Sequence, residues 1–254
     1  MINNNNHNIV IIVAAGKGLR MGANIKKQYL CLKGIPILAH TVMAFDNCED
    51  IDEIIIVLPE NNKQYCQKHV INPFKFTKTI HLAQGGKTRQ DSVYQGLQLA
   101  QTLINPVKEN IVIVHDGVRP FVDYNIIKNC INSAVKFGAC IPAIKITDTI
   151  KQVNSDSFIY KTINRNALYS AQTPQSFKLK FILSAFEYAV RTDFLGTDDA
   201  SIIENFGHSV YIIKGSKLNI KITTPEDLIL GKYLLTLKDS SSLARLKSDK
   251  LAVV

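Results

Sequence analysis

The chain has no apolar run of the roughly 20 residues needed to cross a bilayer, which excludes a membrane-spanning helix. Its opening, MINNNNHN, is polar and lacks the basic-then-apolar order of a secretory signal. The five cysteines (Cys31, Cys48, Cys66, Cys130 and Cys140) are odd in number and scattered, with no CxxC pair. That argues against a disulfide frame or a zinc site and for reduced thiols in a cytoplasm. Three chemical signatures are missing as well. A dinucleotide fingerprint requires glycine three residues after Gly18, and a Walker loop requires Gly-Lys-Ser/Thr beginning five residues after Gly16. Both requirements fall on Met21. There is no nucleophile elbow with its Ser–Asp–His order, and no cysteine has local support as a nucleophile.

What is present is enough hydrophobic sequence, 46% of 254 residues, for one large core or two small ones, and a formal net charge of +9. That charge implies an anionic partner, and nucleic acid is the first class to consider. The basic residues, however, stand singly at strand ends rather than in a run or along one helix face. A small polyphosphate fits that distribution better, and no nucleic-acid or membrane partner is expected.

The organising stretch is IVIIVAAGKGLR, residues 9–20. Its β-branched run reads as a buried parallel strand. The run ends in small residues, Ala14, Ala15, Gly16, Lys17 and Gly18, that let backbone amides approach a ligand closely. With Lys17, Arg20, Lys26 and Lys27 nearby, those amides suit a polyanion. A tight turn carrying solvated lysines is the alternative.

Further strands are expected at 54–58, 79–83, 111–114, 140–146 and 210–213. Helices are expected from 35 to 45, at 61–70, 91–102, 124–137, 181–190 and 198–205 (with Thr197 as N-cap), and from 224 to about 237. Residues 28–32 read as a short extended piece turning at Gly34. This alternation indicates an α/β fold with a mostly parallel sheet covered on both faces. Ligands of such sheets bind beyond the carboxyl ends of the strands. The polar breaks AAGKG, GGKTRQDS and HDGVR each follow a strand and are expected along one rim. Between 147 and 174 the rhythm changes to an antiparallel hairpin around Asn154-Ser155-Asp156-Ser157. Such an arm packs either on its own domain or on a second copy of the chain. Residues 1–237 read as one domain, and 238–254 as a poorly ordered tail.

Asp116, at a phosphate-lined rim, is placed to hold Mg²⁺, to orient a substrate hydroxyl or to balance a neighbouring base; capping its own loop or pairing with Arg119 is the plainer role. His115 reads as a packed core histidine rather than a base. Arg165 can pair with a phosphate or form a salt bridge within the arm. Lys221 lies between Ile220 and Ile222 and so faces away from them, either into solvent or back to the site. Of Asp198 and Asp199, one is expected to face inward. A site dense in cations and glycine amides, with one or two carboxylates, suits transfer at phosphorus.

Together AAGKGLRMG…KKQY, GGKTRQDSV, VHDGVRPF, DTIKQV, NRNALYSAQTPQSF, TDDAS and NIKITTPEDL resemble the 2-C-methyl-D-erythritol 4-phosphate cytidylyltransferases of the non-mevalonate isoprenoid pathway. The motifs run in the family's order from about residue 9 to 235. The resemblance implies a Rossmann-like nucleotidyltransferase core, a homodimer joined by crossed hairpin arms, and Mg²⁺-dependent use of CTP. It implies that Ala14, Ala15, Gly16 and Gly18 lie against the nucleotide, that Gly85, Gly86 and Ser92 face cytosine, and that Arg20, Lys27 and Lys221 neutralise phosphates. Asp116, Arg119 and Thr149 would address the sugar phosphate, with Arg165 and Thr173 coming from the partner's arm region. Lys87 stands where some members carry an acid. Ribitol 5-phosphate cytidylyltransferases share the fold and most motifs, but TDDAS and the AAG opening favour methylerythritol phosphate. A non-catalytic nucleotide- or nucleic-acid-binding module is the rival from another class. An NAD-dependent dehydrogenase is disfavoured by Met21 and by the absence of an acid closing the second strand.

Overall fold

The structure, a computed structural model, describes residues 6–16, 26–104 and 110–239. In chain order its elements are β1 (Asn8–Val13), a 3₁₀ turn (Lys27–Tyr29), β2 (Cys31–Leu32), β3 (Ile35–Pro36), α1 (Ile37–Asp46), β4 (Glu53–Leu58) and α2 (Lys63–Cys66), which runs into a wider turn at Gln67–Ile71. There follow β5 (Thr79–Gln84), α3 (Arg89–Leu103), β6 (Ile111–Asp116), α4 (Tyr124–Phe137), β7 (Ala139–Lys145), β8 (Ile150–Val153) and β9 (Ile159–Ile163). The last are β10 (Tyr169–Ala171), β11 (Gln175–Lys178), α5 (Leu179–Arg191), α6 (Asp199–Asn205), β12 (Tyr211–Lys214) and α7 (Pro225–Asp239).

β1 lies at the centre of the sheet, parallel to β4 on one side and to β6 on the other. β5 extends the parallel set beyond β4, and β12 runs parallel to β7 at the far end. Because successive side chains of a strand point to opposite faces, the apolar run of β1 serves two cores. Val10 and Ile12 pack with Leu38, Val42 and Phe45 of α1 and Ile127 and Ile131 of α4. Ile9 and Ile11 pack on the other face with Val93 and Leu97 of α3, Phe186 of α5 and Ile202 of α6. A third cluster joins Leu32, Ile37, Val118, Phe121, Ile222 and Leu234, and so ties α7 to the turn after β6.

Several features depart from the sequence expectation. Ile35 and Pro36, expected to open a helix, pair with β2 as β3, and the helix starts at Ile37. β6 continues through His115 and Asp116, because both stay in register with β1. Asp198, not Thr197, caps α6: its carboxylate accepts from the Ser201 amide while the Ser201 hydroxyl returns to the Asp198 amide, a reciprocal box. β11 is an antiparallel strand inserted between β6 and β7. It is too short, and in Gln175 and Ser176 too polar, to stand out as a strand, although Phe177 anchors it in the core. The 150–163 hairpin pairs only with itself. The predicted tail lies outside the described residues from 240 onwards.

Gly96 sets how closely α3 approaches the sheet. A Cβ there would stand 2.6 Å from Cγ2 of Ile11 and 3.1 Å from Cγ2 of Val57. Alanine would add about 1 kcal/mol of helix propensity, but overpacking a core typically costs about 1–3 kcal/mol. Gly96→Ala is therefore expected to lower stability by about 1 kcal/mol. A denaturant midpoint unchanged or raised by the substitution would contradict this account.

Candidate functional site

The carboxyl ends of β1, β4, β5 and β6 open on one cavity of about 870 Å³. Its floor is made by backbone that prolongs the sheet: the Ala14 amide donates to the Val57 carbonyl, that of Gly85 to Leu58 and that of Gly117 to Val13. Ala14, Ala15 and Gly16 line the cavity beside Gly85, Gly86 and Ser92. Gly85 has to be glycine here, since a Cβ would lie 2.6 Å from that of Ala15 and 2.8 Å from the Ser92 hydroxyl. That hydroxyl donates to the Thr88 carbonyl and accepts from the Gly86 amide, fixing the turn before α3. Thr88 and Asp91 form the capping box that starts the helix. The Gln28 side-chain amide, buried, donates to the Ala14 carbonyl at 2.7 Å and docks the segment carrying Lys26 and Lys27, both of which line the cavity.

Asp116 supplies the cavity's buried carboxylate. Lys221 Nζ lies 2.9 Å and Arg119 Nε 3.3 Å from its Oδ2, while Arg89 Nε lies 3.6 Å from Oδ1. Burial alone would raise the Asp116 carboxyl, but Lys221, Arg89 and Arg119 outweigh it and hold the group well below the usual carboxylate range. Each cation has its own tether. The Ile222 amide bonds to the Val118 carbonyl and its side chain enters the third core cluster, while the neighbouring Lys221 side chain reaches Asp116. Arg119 also donates to the Asn219 carbonyl at 2.8 Å. Arg89 makes a two-pronged pair with the fully buried Asp199, at 2.9 and 2.7 Å. Burial opposes the Arg89 charge, and Asp199 more than restores it, so the guanidinium stays protonated.

The structure therefore brings together Ala14, Ala15, Gly16, Lys27, Gly85, Gly86, Ser92, Asp116 and Lys221, with Arg119 beside Asp116. Lys87 lines the same cavity. Gly18 and Arg20 lie outside the described residues. Thr173 corrects an expectation. It is buried in the chain's own core, where its hydroxyl accepts from the Asp116 amide at 3.1 Å, so it does not need a second copy to reach the site. Thr149 and Arg165 are exposed at the two ends of the hairpin arm and do not line the cavity, so Thr149 does not join Asp116 within one chain. Of the adjacent acids Asp198 and Asp199, one of which is expected to face inward, Asp199 is the fully buried one, but sequence reasoning missed Arg89 and its pairing with that carboxylate. The available signal was a charged residue directly after a glycine-rich turn, inside a motif already suspected of binding the nucleotide.

Residues 8–237 match the family described as IspD, 2-C-methyl-D-erythritol 4-phosphate cytidylyltransferase. The 2-C-methyl-D-erythritol 4-phosphate cytidylyltransferase of Clostridium novyi (strain NT) is 44% identical over 229 residues, covering 90% of this chain and 96% of that one. Among solved structures, the 4-diphosphocytidyl-2C-methyl-D-erythritol synthase of Anaerococcus prevotii DSM 20548 superposes with a TM-score of 0.77 at 33% identity, over 91% of this chain and 96% of that one. The Francisella tularensis 2-C-methyl-D-erythritol 4-phosphate cytidylyltransferase gives a TM-score of 0.75 at 31% identity, over 89% and 99%.

His115 and Asp116 make the fold acid-sensitive in separate windows. Burial pushes the His115 ring down to about 4. Unfolded, it titrates near 6.5, so between 6.5 and 4 the unfolded chain binds the extra proton and stability falls with falling pH. The loss reaches about 3 kcal/mol by pH 4. Asp116, depressed in the folded state, contributes stability that is complete above its unfolded value and is lost only as pH falls below it. Denaturant midpoints should thus decline from pH 6.5 to 4.5. A flat profile over that interval would show that the His115 ring is not buried neutral.

Proposed function

The chain belongs to the 2-C-methyl-D-erythritol 4-phosphate cytidylyltransferase family, and from that premise we infer that it condenses CTP with 2-C-methyl-D-erythritol 4-phosphate, releasing pyrophosphate and leaving 4-diphosphocytidyl-2-C-methyl-D-erythritol. The observation that carries this reading is the convergence of Gly16, Gly85, Gly86, Asp116, Lys27 and Lys221 on one cavity. Backbone at Ala14–Gly16 and Gly85–Gly86 lines the side of the cavity offered to the nucleotide, its small residues allowing close approach, while Lys26, Lys27 and Lys221 line the part offered to its phosphates.

The step is an in-line displacement. A phosphate oxygen of the sugar phosphate attacks the α-phosphorus of CTP, the new P–O bond forms, and the bond to the leaving pyrophosphate breaks. No general base is needed, because a phosphate monoester is already an anion near neutrality. His115 could not serve as one in any case, being fully buried with both ring nitrogens engaged. Lys27 and Lys221, with Arg20, would stabilise charge gathering on the α-phosphate and the leaving group.

Mg²⁺ is expected with a triphosphate, but Asp116 does not fit as its resident ligand. Three cationic groups within 3.6 Å already neutralise the carboxylate and would repel a divalent ion. Among the described residues no three His, Cys, Asp or Glu side chains gather to hold a metal. We propose that the ion enters as part of the nucleotide, as Mg·CTP, bound through phosphate oxygens and water.

The hairpin arm supports a homodimer. Phe158, Ile159 and Tyr160 are 72%, 62% and 75% exposed, and the arm has no core of its own in the chain. We propose that two copies exchange these arms, so that Thr149 and Arg165 of each approach the cavity of the other. No helix among the described residues is long and apolar enough to cross a membrane. The five free thiols suit a reducing compartment, which we take to be the cytoplasm.

Pyrophosphate release measured across CTP, UTP and ATP, each with methylerythritol phosphate and with ribitol 5-phosphate, is expected to be fastest for CTP with methylerythritol phosphate. Greater efficiency with ribitol 5-phosphate would transfer the chain's activity to that substrate. Lys27→Ala is expected to lower kcat roughly a hundredfold with a smaller change in KM for CTP, since the charge it meets grows in the transition state. A loss confined to KM would remove Lys27 from that role.

A further inference from the structure

A buried chain of hydrogen bonds runs behind Asp116. The Asp116 amide donates to the Thr173 hydroxyl oxygen at 3.1 Å, and that oxygen lies 3.0 Å from Nδ1 of His115. On the other side of the ring, Nε2 lies 3.0 Å from the Arg119 carbonyl oxygen. A carbonyl can only accept, so Nε2 carries a hydrogen. With the ring neutral, Nδ1 is an acceptor and the Thr173 hydroxyl donates to it. Every group then has one role: the Asp116 N–H donates to Thr173, the Thr173 O–H to His115, and the His115 Nε2–H to Arg119. The ring has no solvent exposure and sits edge-on to Phe45, with centroids 4.8 Å apart, so its plane is set by packing.

We propose that His115 is a positioning residue: its two ring nitrogens fix the Thr173 hydroxyl and the Arg119 carbonyl, and through them the directions in which Asp116 and Arg119 meet the sugar phosphate. The inference rests on the reading that those two residues face that substrate. The turn after β6 is also held by the Ile222 amide on the Val118 carbonyl and by Arg119 on the Asn219 carbonyl, both on its α7 side. The Gly117 amide holds to Val13 and the Gly117 carbonyl to the Thr41 hydroxyl, while Arg119 closes on Asp116 through its own amide at 3.0 Å. Among the described residues, the histidine side chain spans the turn from its start to the Arg119 carbonyl and also reaches Thr173 just before β11. The nucleotide slot, built from 14–16 and 85–92, does not lean on it.

Three substitutions separate positioning from packing. His115→Phe keeps a ring and loses both bonds. His115→Asn keeps an amide near the Nδ1 position, and His115→Gln one near Nε2. In the wild-type enzyme, turnover of CTP with methylerythritol phosphate is measured first, and its absence would refute the activity rather than this inference. Given turnover, His115→Phe is expected to lower kcat/KM for the sugar phosphate roughly tenfold to a hundredfold, with KM for CTP nearly unchanged. Asn and Gln should fall between it and the wild type. Equal losses toward both substrates, or wild-type kinetics in a folded His115→Phe, would overturn the proposal. The wild-type protein supplies a measurement that no unfolded variant can spoil: side-chain ¹⁵N shifts of His115 should show the neutral ring with hydrogen on Nε2. Hydrogen on Nδ1 would refute the bond directions on which the proposal stands.

Discussion

The contact on which the site depends is the carboxylate of Asp116 among Lys221, Arg119 and Arg89. It joins three parts of the chain that are distant in sequence. Asp116 and Arg119 belong to the end of β6 and its turn, Arg89 to the first residue of α3, and Lys221 to the segment leading into α7. Each partner is also fastened to a different body of the fold. Arg89 is held by Asp199 at the start of α6, within the layer formed by α3, α5 and α6. Lys221 is carried by Ile222 and the third core cluster. The ion cluster is thus the corner where one helical layer, the sheet and the α7 packing come together.

Such a cluster is held up by hydrophobic packing more than by its own charges. Buried ion pairs roughly balance desolvation against attraction, so they direct geometry more than they add stability. Here the apolar side chains do the placing. Ile222 and Val118 set the spacing between the Lys221 segment and the turn after β6, and Val93 and Leu97 set the height of α3 above the sheet. The charges then select one arrangement among those the packing allows. This division explains why β1 needs side chains buried on both faces: it is the common wall against which both layers are registered.

That logic also marks what could be read from the sequence. The β-branched run at 9–13, the polar breaks after strands and the hairpin turn at 154–157 are local signals, and the corresponding elements stand where they were expected. Local alternation around Lys221 left two directions open, and only the burial of Ile222 decides between them. The Arg89–Asp199 pair spans 110 positions, and no periodicity reports a contact between two helix starts so far apart. β11 escaped for a different reason. Its stability comes from lying between β6 and β7, a tertiary setting that a short Gln-Ser-Phe-Lys segment does not advertise. The family resemblance implies that Thr173 comes from the partner's arm region, yet the strand that follows, β11, carries it into its own chain's sheet.

A negative side chain at the centre of the proposed phosphate site looks counterproductive, since the difficulty in joining two phosphates is their mutual repulsion. The cations are the remedy, but cations crowded together also repel one another. At an effective dielectric near 20, two unit charges about 4 Å apart differ by about 4 kcal/mol from the same charges well separated. Asp116 answers this by giving Lys221, Arg119 and Arg89 a shared counter-charge around which to order, with Asp199 holding Arg89 from behind. The geometry is then set before a substrate phosphate approaches, and the guanidinium and ammonium groups need little rearrangement to face it. Because Asp116 is held ionised by the same groups it orders, the arrangement is self-consistent: removing the acid would scatter the bases, and removing the bases would let burial neutralise the acid.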